Sequence, residues 1–167
     1  MTTHRETRFI TVPPDQLFDL VHDVERYPQY LSLWRSAHIY EREANGYFTD
    51  QQIGLGPIRE SFRTHTTFDR PNWIEVTSID PLFKRFHIRW DFNAVRSGTR
   101  VLIALTWMVH SRMLQHAIDA ALPMTTKRMV VAFEDEARRS RPRPAHSPAS
   151  AEAPSGSRTD GPPADKT

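Results

Sequence analysis

The chain has 167 residues, 38% of them hydrophobic, with 22 Lys and Arg against 20 Asp and Glu, which supplies the core of one domain and a net charge of only +2. That balance, with a pI near 9.2, falls well short of the clustered charge of a dedicated nucleic-acid binder, so DNA is not among the expected partners. The absence of cysteine excludes disulfides, thiolate catalysis and cysteine-ligated zinc or iron–sulfur sites.

In chain order, Arg5 to Val12 (RETRFITV) alternates as a strand does. It begins about four residues after Met1, so neither a secretory leader nor an amphipathic transit peptide is expected. No apolar run approaches the roughly 18 residues that cross a bilayer. The expected location is therefore a bacterial-type cytoplasm, with any membrane contact peripheral and at the inner membrane. Next, PPDQLFDLV places proline in a first helical turn and Asp15 near its positive end, and Leu17, Phe18, Val21 and Val24 keep a helical spacing. After Tyr27 the pattern stops. Pro28 intervenes, and Tyr30, Leu31, Leu33 and Trp34 crowd together without a period.

Six strand-like runs follow: Ser36–Arg42, Gly46–Gly54, Pro57–Asp69, Asn72–Ile79, Lys84–Val95 and Thr99–Val109. Turn signals at Asn45-Gly46, Gly54 to Pro57, Arg70 to Asn72, Asp80-Pro81 and Ser97-Gly98 separate them. Phe62, Thr64, Thr66 and Phe68 share one strand face against Arg59, Ser61, Arg63 and His65; Phe86, Ile88, Trp90 and Phe92 oppose Arg85, His87, Arg89 and Asp91. One face is apolar and one is wet, as in an antiparallel sheet covered on one side. The cover is the helical pattern from Ser111 to Arg139, carried by Leu114, Ile118, Ala121, Leu122, Met129, Phe133 and Ala137. Pro123 inside it predicts a kink or a split. From Ser140 onward the chain holds six of the thirteen prolines and no aliphatic or aromatic side chain larger than alanine, too little apolar surface to offset chain entropy. Residues 1–139 thus read as one folded domain and 140–167 as a disordered tail.

Catalytic motifs are absent: there is no His-Glu-x-x-His pair and no Gly-x-Ser-x-Gly elbow, and Gly54 to Pro57 lacks the helix a phosphate loop requires. The histidines offer no close set of three ligands, so neither catalytic residues nor a metal site are expected. Glu60 shares the parity of Phe62 and is the carboxylate expected to face inward, paired with Arg112 or Arg128. Arg59, Arg63, Arg85 and Arg89 form a basic stripe, read first as a solvated face and second as a contact for ribosomal RNA or an anionic membrane.

The order of elements resembles the START-like helix-grip fold, an α+β architecture in which a curved antiparallel sheet of about seven strands wraps a long C-terminal helix. LFDLVHDVERYPQYL (17–31), IRESF (58–62), Phe83 with Trp90 and Phe92, SRML (111–114) and RMVVAFEDEA (128–137) resemble the coenzyme Q-binding and ribosome-association-toxin family of the polyketide cyclase and lipid-transport superfamily. In that family's pattern the tryptophan after the Tyr-Pro motif stands one place earlier than Trp34, Gly-Pro-Phe stands where this chain has Pro81, Leu82 and Phe83, and an arginine stands at Glu136.

The resemblance implies a hydrophobic cavity whose mouth is crossed by the segment after the first helix. Tyr27, Pro28, Tyr30, Leu31, Leu33 and Trp34 are then its gate, or else an ordinary core plug. The implied cavity residues are Glu60, Phe62, Ile74, Phe83, Phe86, Trp90, Trp107, Leu114, Met129 and Phe133. The expected function is noncatalytic carriage of a hydrophobic small molecule, ubiquinone or a similar lipid, in support of respiration, with no cofactor required. Binding to the large ribosomal subunit, as a toxin of subunit association, is the alternative; a cyclase-like enzyme is the third. Truncation after Arg139 should leave the melting temperature unchanged, measured by thermal denaturation beside the full chain; a fall of several degrees would mean that the tail docks.

Overall fold

The computed structural model of the chain describes residues 1–140, leaving aside the side chains of 122, 123 and 126. Apart from Ser140, the segment read as a tail lies outside the described residues. Alternation builds β1 (Thr2–Ile10), which starts three residues before the strand read from Arg5 and ends two before Val12. Its inward positions Thr2, His4, Glu6 and Arg8 are half-buried, whereas Phe9 points outward. Pro13 then ends the ladder, because proline has no N–H to donate, and α1 (Pro14–His22) begins with proline and Asp15 in its first turn. It buries Leu17, Phe18, Leu20 and Val21. The aperiodic stretch that follows resolves into a 3-10 turn, Val24–Arg26, and the single turn of α2 (Tyr27–Tyr30).

β2 (Trp34–Glu43), β3 (Gly46–Leu55), β4 (Ile58–Asp69), β5 (Trp73–Thr77), β6 (Phe83–Val95) and β7 (Gly98–Val109) then meander. β2 begins two residues earlier than Ser36, and β5 stops short of Ile79. One antiparallel sheet results, in the order β1-β7-β6-β5-β4-β3-β2, so β1 and β2 are its edges. β2 shifts register against β3 twice, between Trp34 and Ser36 and between Ile39 and Glu41, and such bulges bend and twist a strand. At the β6–β7 turn a Cβ on Gly98 would stand 2.2 Å from the Ile10 carbonyl oxygen, so only glycine lets β1 close against β7 there.

α3 (Arg112–Arg139) is one helix of 28 residues, so of the two outcomes expected at Pro123, a kink or a split, the split does not occur. Proline removes one hydrogen bond from the ladder, and the helix continues through that gap on the hydrogen bonds of the turns on both sides. Ser111 caps its start by accepting a hydrogen bond from the Leu114 N–H at 3.2 Å.

The apolar face of the sheet is covered in two ways. At one end α1 packs directly on it, with Phe18 edge-on to Phe68 and Phe92 at 5.8 and 5.9 Å, and a solid core forms around Leu17, Phe92 and Val101. At the other end only α3 lies over it.

His22 is set into the solid end, stacked on Phe18 at 5.6 Å and edge-on to Phe68 at 4.7 Å. Burial among these rings holds its pKa below the ordinary value, against the pull of Asp19. The unfolded chain therefore takes up a proton near pH 6.5 while the folded chain resists it, so stability is full above that pH and falls as pH drops through it toward the folded value. Urea denaturation at pH 7.5 and 5.5 should show the wild type losing more stability than His22→Phe, in which the ring stays and the titration goes. Equal losses in the two proteins would contradict this account.

Candidate functional site

Where α3 alone covers the sheet, helix and strands stand apart around a cavity of about 190 Å³. Its floor is the inward set of the strands: Phe62 on β4, Phe83, Phe86, Ile88 and Trp90 on β6, and Ile103, Leu105 and Trp107 on β7. Its roof is one stripe of α3, formed by Leu114, Ile118, Thr125, Met129, Val130 and Phe133. Leu33, Trp34, Ile53, Leu55 and Ile58 close the side formed by β2, β3 and β4. The wall is almost entirely carbon, with Phe62, Phe83 and Phe86 in mutual ring contact at 4.7 to 5.8 Å. An apolar cavity of about 150 Å³ stays dry and accepts benzene. This one accommodates a substituted ring, while a long chain attached to that ring must leave through the mouth.

The polar groups of the wall are His4, Glu6, Glu60 and Thr125. Glu6 is engaged from its own strand, by the Arg8 guanidinium and by His4 Nε2 at 3.3 Å. Glu60 is half-buried, and among the described residues it has neither an ion pair nor a side-chain hydrogen bond. The expected pairing with Arg112 or Arg128 does not form, because both arginines lie on exposed positions of α3. Beside the roof, burial works against the charge on Asp119, but hydrogen bonds from the Thr2 hydroxyl at 2.8 Å and the Gln115 amide at 3.0 Å prevail and hold its carboxyl below the ordinary range. The buried indole N–H of Trp107 lies near this carboxylate without reaching hydrogen-bond geometry.

Of the residues singled out in the sequence, Glu60, Phe62, Phe83, Phe86, Trp90, Trp107, Leu114, Met129 and Phe133 all stand on this wall. Ile74 does not: paired with Trp90 on β6, it faces the same side of the sheet but lines a smaller adjoining cavity of about 70 Å³, which shares Trp34, Phe62, Phe86, Ile88, Trp90 and Phe133 with the main wall. The gate segment divides. Leu33 and Trp34 line the cavity, Tyr27 is buried on the smaller adjoining cavity, and Leu31 is a core residue only 1% exposed. Pro28 and Tyr30 do not reach the cavity wall either; Tyr30 packs edge-on to Phe133 at 5.6 Å. Tyr27 donates its hydroxyl hydrogen to the Val21 carbonyl, and burial raises its pKa. Burial likewise pushes Tyr47 up to about 12, with its hydroxyl donating to the His22 carbonyl at 2.9 Å. These phenols anchor the segment from behind. His4 and Glu6 are additions to the site, and their signal was the alternation of β1 carried two residues nearer the N-terminus.

Trp34 is fixed by a buried polar network. Its Nε1 donates to Gln51 Oε1 at 2.7 Å, Gln51 Nε2 donates to the hydroxyls of Thr49 and Thr64 at 2.9 Å, and those hydroxyls share a bond of 2.6 Å. Thr49, Gln51 and Thr64 are all buried, so each polar atom depends on the others for its partner.

Residues 10–134 match the model of the family described as polyketide cyclase / dehydrase and lipid transport. Among curated proteins, the ribosome association toxin RatA of Rickettsia prowazekii is 25% identical over 142 residues, which is 83% of this chain and 97% of that one. The mitochondrial coenzyme Q-binding protein COQ10 of Dictyostelium discoideum is 27% identical over 96 residues, 56% of this chain and 47% of that one. Among solved structures, the Zhui aromatase/cyclase of Streptomyces sp. R1128 superposes with a TM-score of 0.72 over 83% of this chain and 94% of its own, at 12% identity. At that identity the likeness is one of fold, and the fold is the START-like helix grip.

Trp34→Phe keeps a ring in place but strips the donor from buried Gln51, and should cost about 1–3 kcal/mol in chemical denaturation. Tyr30→Phe removes only a 3.5 Å contact to the Leu20 carbonyl and should change stability far less. Indistinguishable midpoints for the two variants would mean that the network does not hold the edge.

Proposed function

The chain belongs to the polyketide cyclase / dehydrase and lipid transport family, and on that premise we propose that it is a noncatalytic binder and carrier of a hydrophobic ligand, a polyprenyl quinone of the ubiquinone class. The observation that carries the reading is the carbon-walled cavity of about 190 Å³ between sheet and α3. A quinone ring matches that space, and the first isoprenoid units leaving by the mouth gain about 0.8 kcal/mol for each CH₂ they bury. The coenzyme Q-binding relative supports the same ligand class. In this account Phe62, Phe83, Phe86, Trp90, Trp107, Leu114, Met129 and Phe133 contact the ligand, Glu60 stands at its polar end, and Leu33 and Trp34 form the edge it passes. Tyr27, Pro28, Tyr30 and Leu31 back that edge, and Ile74 lines the smaller cavity behind the wall. The proposed setting is the cytoplasm, peripheral to the inner membrane; among the described residues no helix is long and apolar enough to cross one.

Association with the large ribosomal subunit is a second reading, favoured by the toxin relative and by Arg59 and Arg85, outward cations without an acidic partner among the described residues. A cyclase-like activity in the same cavity would need polar groups at the reacting atoms, and the wall offers few.

Lipid extraction from gently purified protein, followed by mass spectrometry and by titration with a short-tailed ubiquinone analogue, tests the proposal. Trp34, Trp90 and Trp107 border the cavity and should report saturable quenching. Ile103→Trp, which fills the cavity, should abolish both signals while the protein remains folded. A wild type that shows neither a saturable change nor a rise in melting temperature would overturn the quinone reading.

A further inference from the structure

The turn from Leu55 to Ile58, the loop from Ser78 to Leu82 and the junction of β7 with α3 lie at one end of the sheet. Ile58 pairs with Leu55, and Phe83 pairs with Val109. The His110 N–H donates to the Leu82 carbonyl at 3.4 Å, which joins loop to junction. This is the end at which the cavity lies, since α1 and α2 fill the other with the solid core. Segment by segment, a side chain on the cavity wall has an exposed cation as its neighbour in sequence: Trp34 with Arg35, Ile58 with Arg59, Phe83 with Lys84. Arg112 opens α3 two residues before Leu114. None of these four cations has an ion pair among the described residues. At the opposite end Arg26, Arg42 and Arg70 are paired with Glu136, Glu25 and Asp19, while Arg96 and Arg100 at the β6–β7 turn are exposed and unpaired among the described residues but have no exposed aliphatic side chain such as Ile79 or Met113 beside them on that turn. Of the acids near the mouth, Asp80 is engaged by Arg63 and the Leu82 N–H. The same end carries apolar side chains held out in water: Ile79 is 102% exposed and Met113 is 82% exposed.

We propose that this rim is a docking surface for an anionic phospholipid bilayer, with Ile79 and Met113 entering the interface and Arg35, Arg59, Lys84 and Arg112 meeting the headgroup phosphates. An RNA surface would reward the cations alone. Unbranched and branched aliphatic side chains gain from an acyl boundary and gain nothing from a phosphate backbone, so their exposure among free cations selects the membrane. The geometry also sets the mouth against the source of an apolar ligand, so that transfer need not pass through water. In this respect the inference rests on the carrier reading, although docking itself does not require a ligand.

Co-sedimentation with vesicles tests it. The full chain should pellet with vesicles containing phosphatidylglycerol, weakly with phosphatidylcholine alone, and less as salt is raised. Ile79→Asn with Met113→Asn, at fully exposed positions, should weaken binding at least about tenfold. Arg59→Gln, Lys84→Gln and Arg112→Gln together should weaken it roughly a hundredfold and flatten the salt dependence, at about fivefold per cation. Both variants should keep the wild-type melting temperature and the wild-type response to the short-tailed quinone, which is soluble without vesicles. Failure of the quinone titration with vesicle binding intact removes the carrier reading and leaves the docking surface. Equal pelleting of wild type and both variants would overturn the docking surface, and so would pelleting with purified large ribosomal subunits but not with vesicles.

Discussion

A seven-stranded antiparallel sheet with one apolar face exposes more carbon than a single helix can cover, and the molecule is arranged around that mismatch. Direct packing of α1 disposes of one end. Over the other, α3 spans the concavity without filling it, and the residue is an apolar cavity of about 190 Å³. At the cost measured for residual cavities, about 24 cal/mol per Å³, such a space forgoes about 4–5 kcal/mol relative to a filled core. That is a large share of the margin of a small domain. A core under selection for stability alone would close it with a few larger side chains, and Ile88, Ile103 and Leu105 leave ample scope for that. The cavity is therefore coherent with a molecule whose occupant supplies the missing contacts and whose empty form tolerates their absence.

Tolerance of that kind needs a frame that does not collapse. The solid end provides it through rings and phenols: Phe18 against Phe68 and Phe92, and Tyr27 and Tyr47 hydrogen-bonded to the carbonyls of Val21 and His22. The Trp34, Gln51, Thr49 and Thr64 network extends the frame to the cavity edge, because a satisfied buried network has few alternative arrangements. Leu33 and Trp34 thus stand where rigid core and hollow half meet.

The faces of the strands were legible in the sequence because period two is a strong signal: Phe62 and Thr64, or Trp90 and Phe92, declare their side without any knowledge of their neighbours. What period two cannot declare is position along the sheet. Ile74 shares the inward side with Trp90 and is its cross-strand partner, yet it stands on the smaller adjoining cavity and not on the main wall, a difference of position that parity does not carry. The same holds for Tyr27 and Leu31, which the resemblance placed in a gate or a plug and which are both buried behind Trp34, Tyr27 against the smaller cavity. On β1, read as a strand from Arg5, the site residues His4 and Glu6 escaped for the opposite reason: they are inward but polar, so hydropathy and direction disagree. Pro123 carries a local rule against which α3 nevertheless runs on as one helix.

The broken register of β2 bears on how molecules of this protein meet one another. A free strand edge is a template for further strands, and here the template is interrupted twice, at Trp34/Ser36 and Ile39/Glu41, and ends in the exposed charges Glu41, Arg42 and Glu43. A neighbouring chain laid along that edge would fall out of step within a few residues and meet charge where it needs to be apolar. The edge is thereby guarded against runaway polymerisation by its own irregularity, so an open greasy mouth can coexist with a chain that does not propagate its sheet into fibrils from this side.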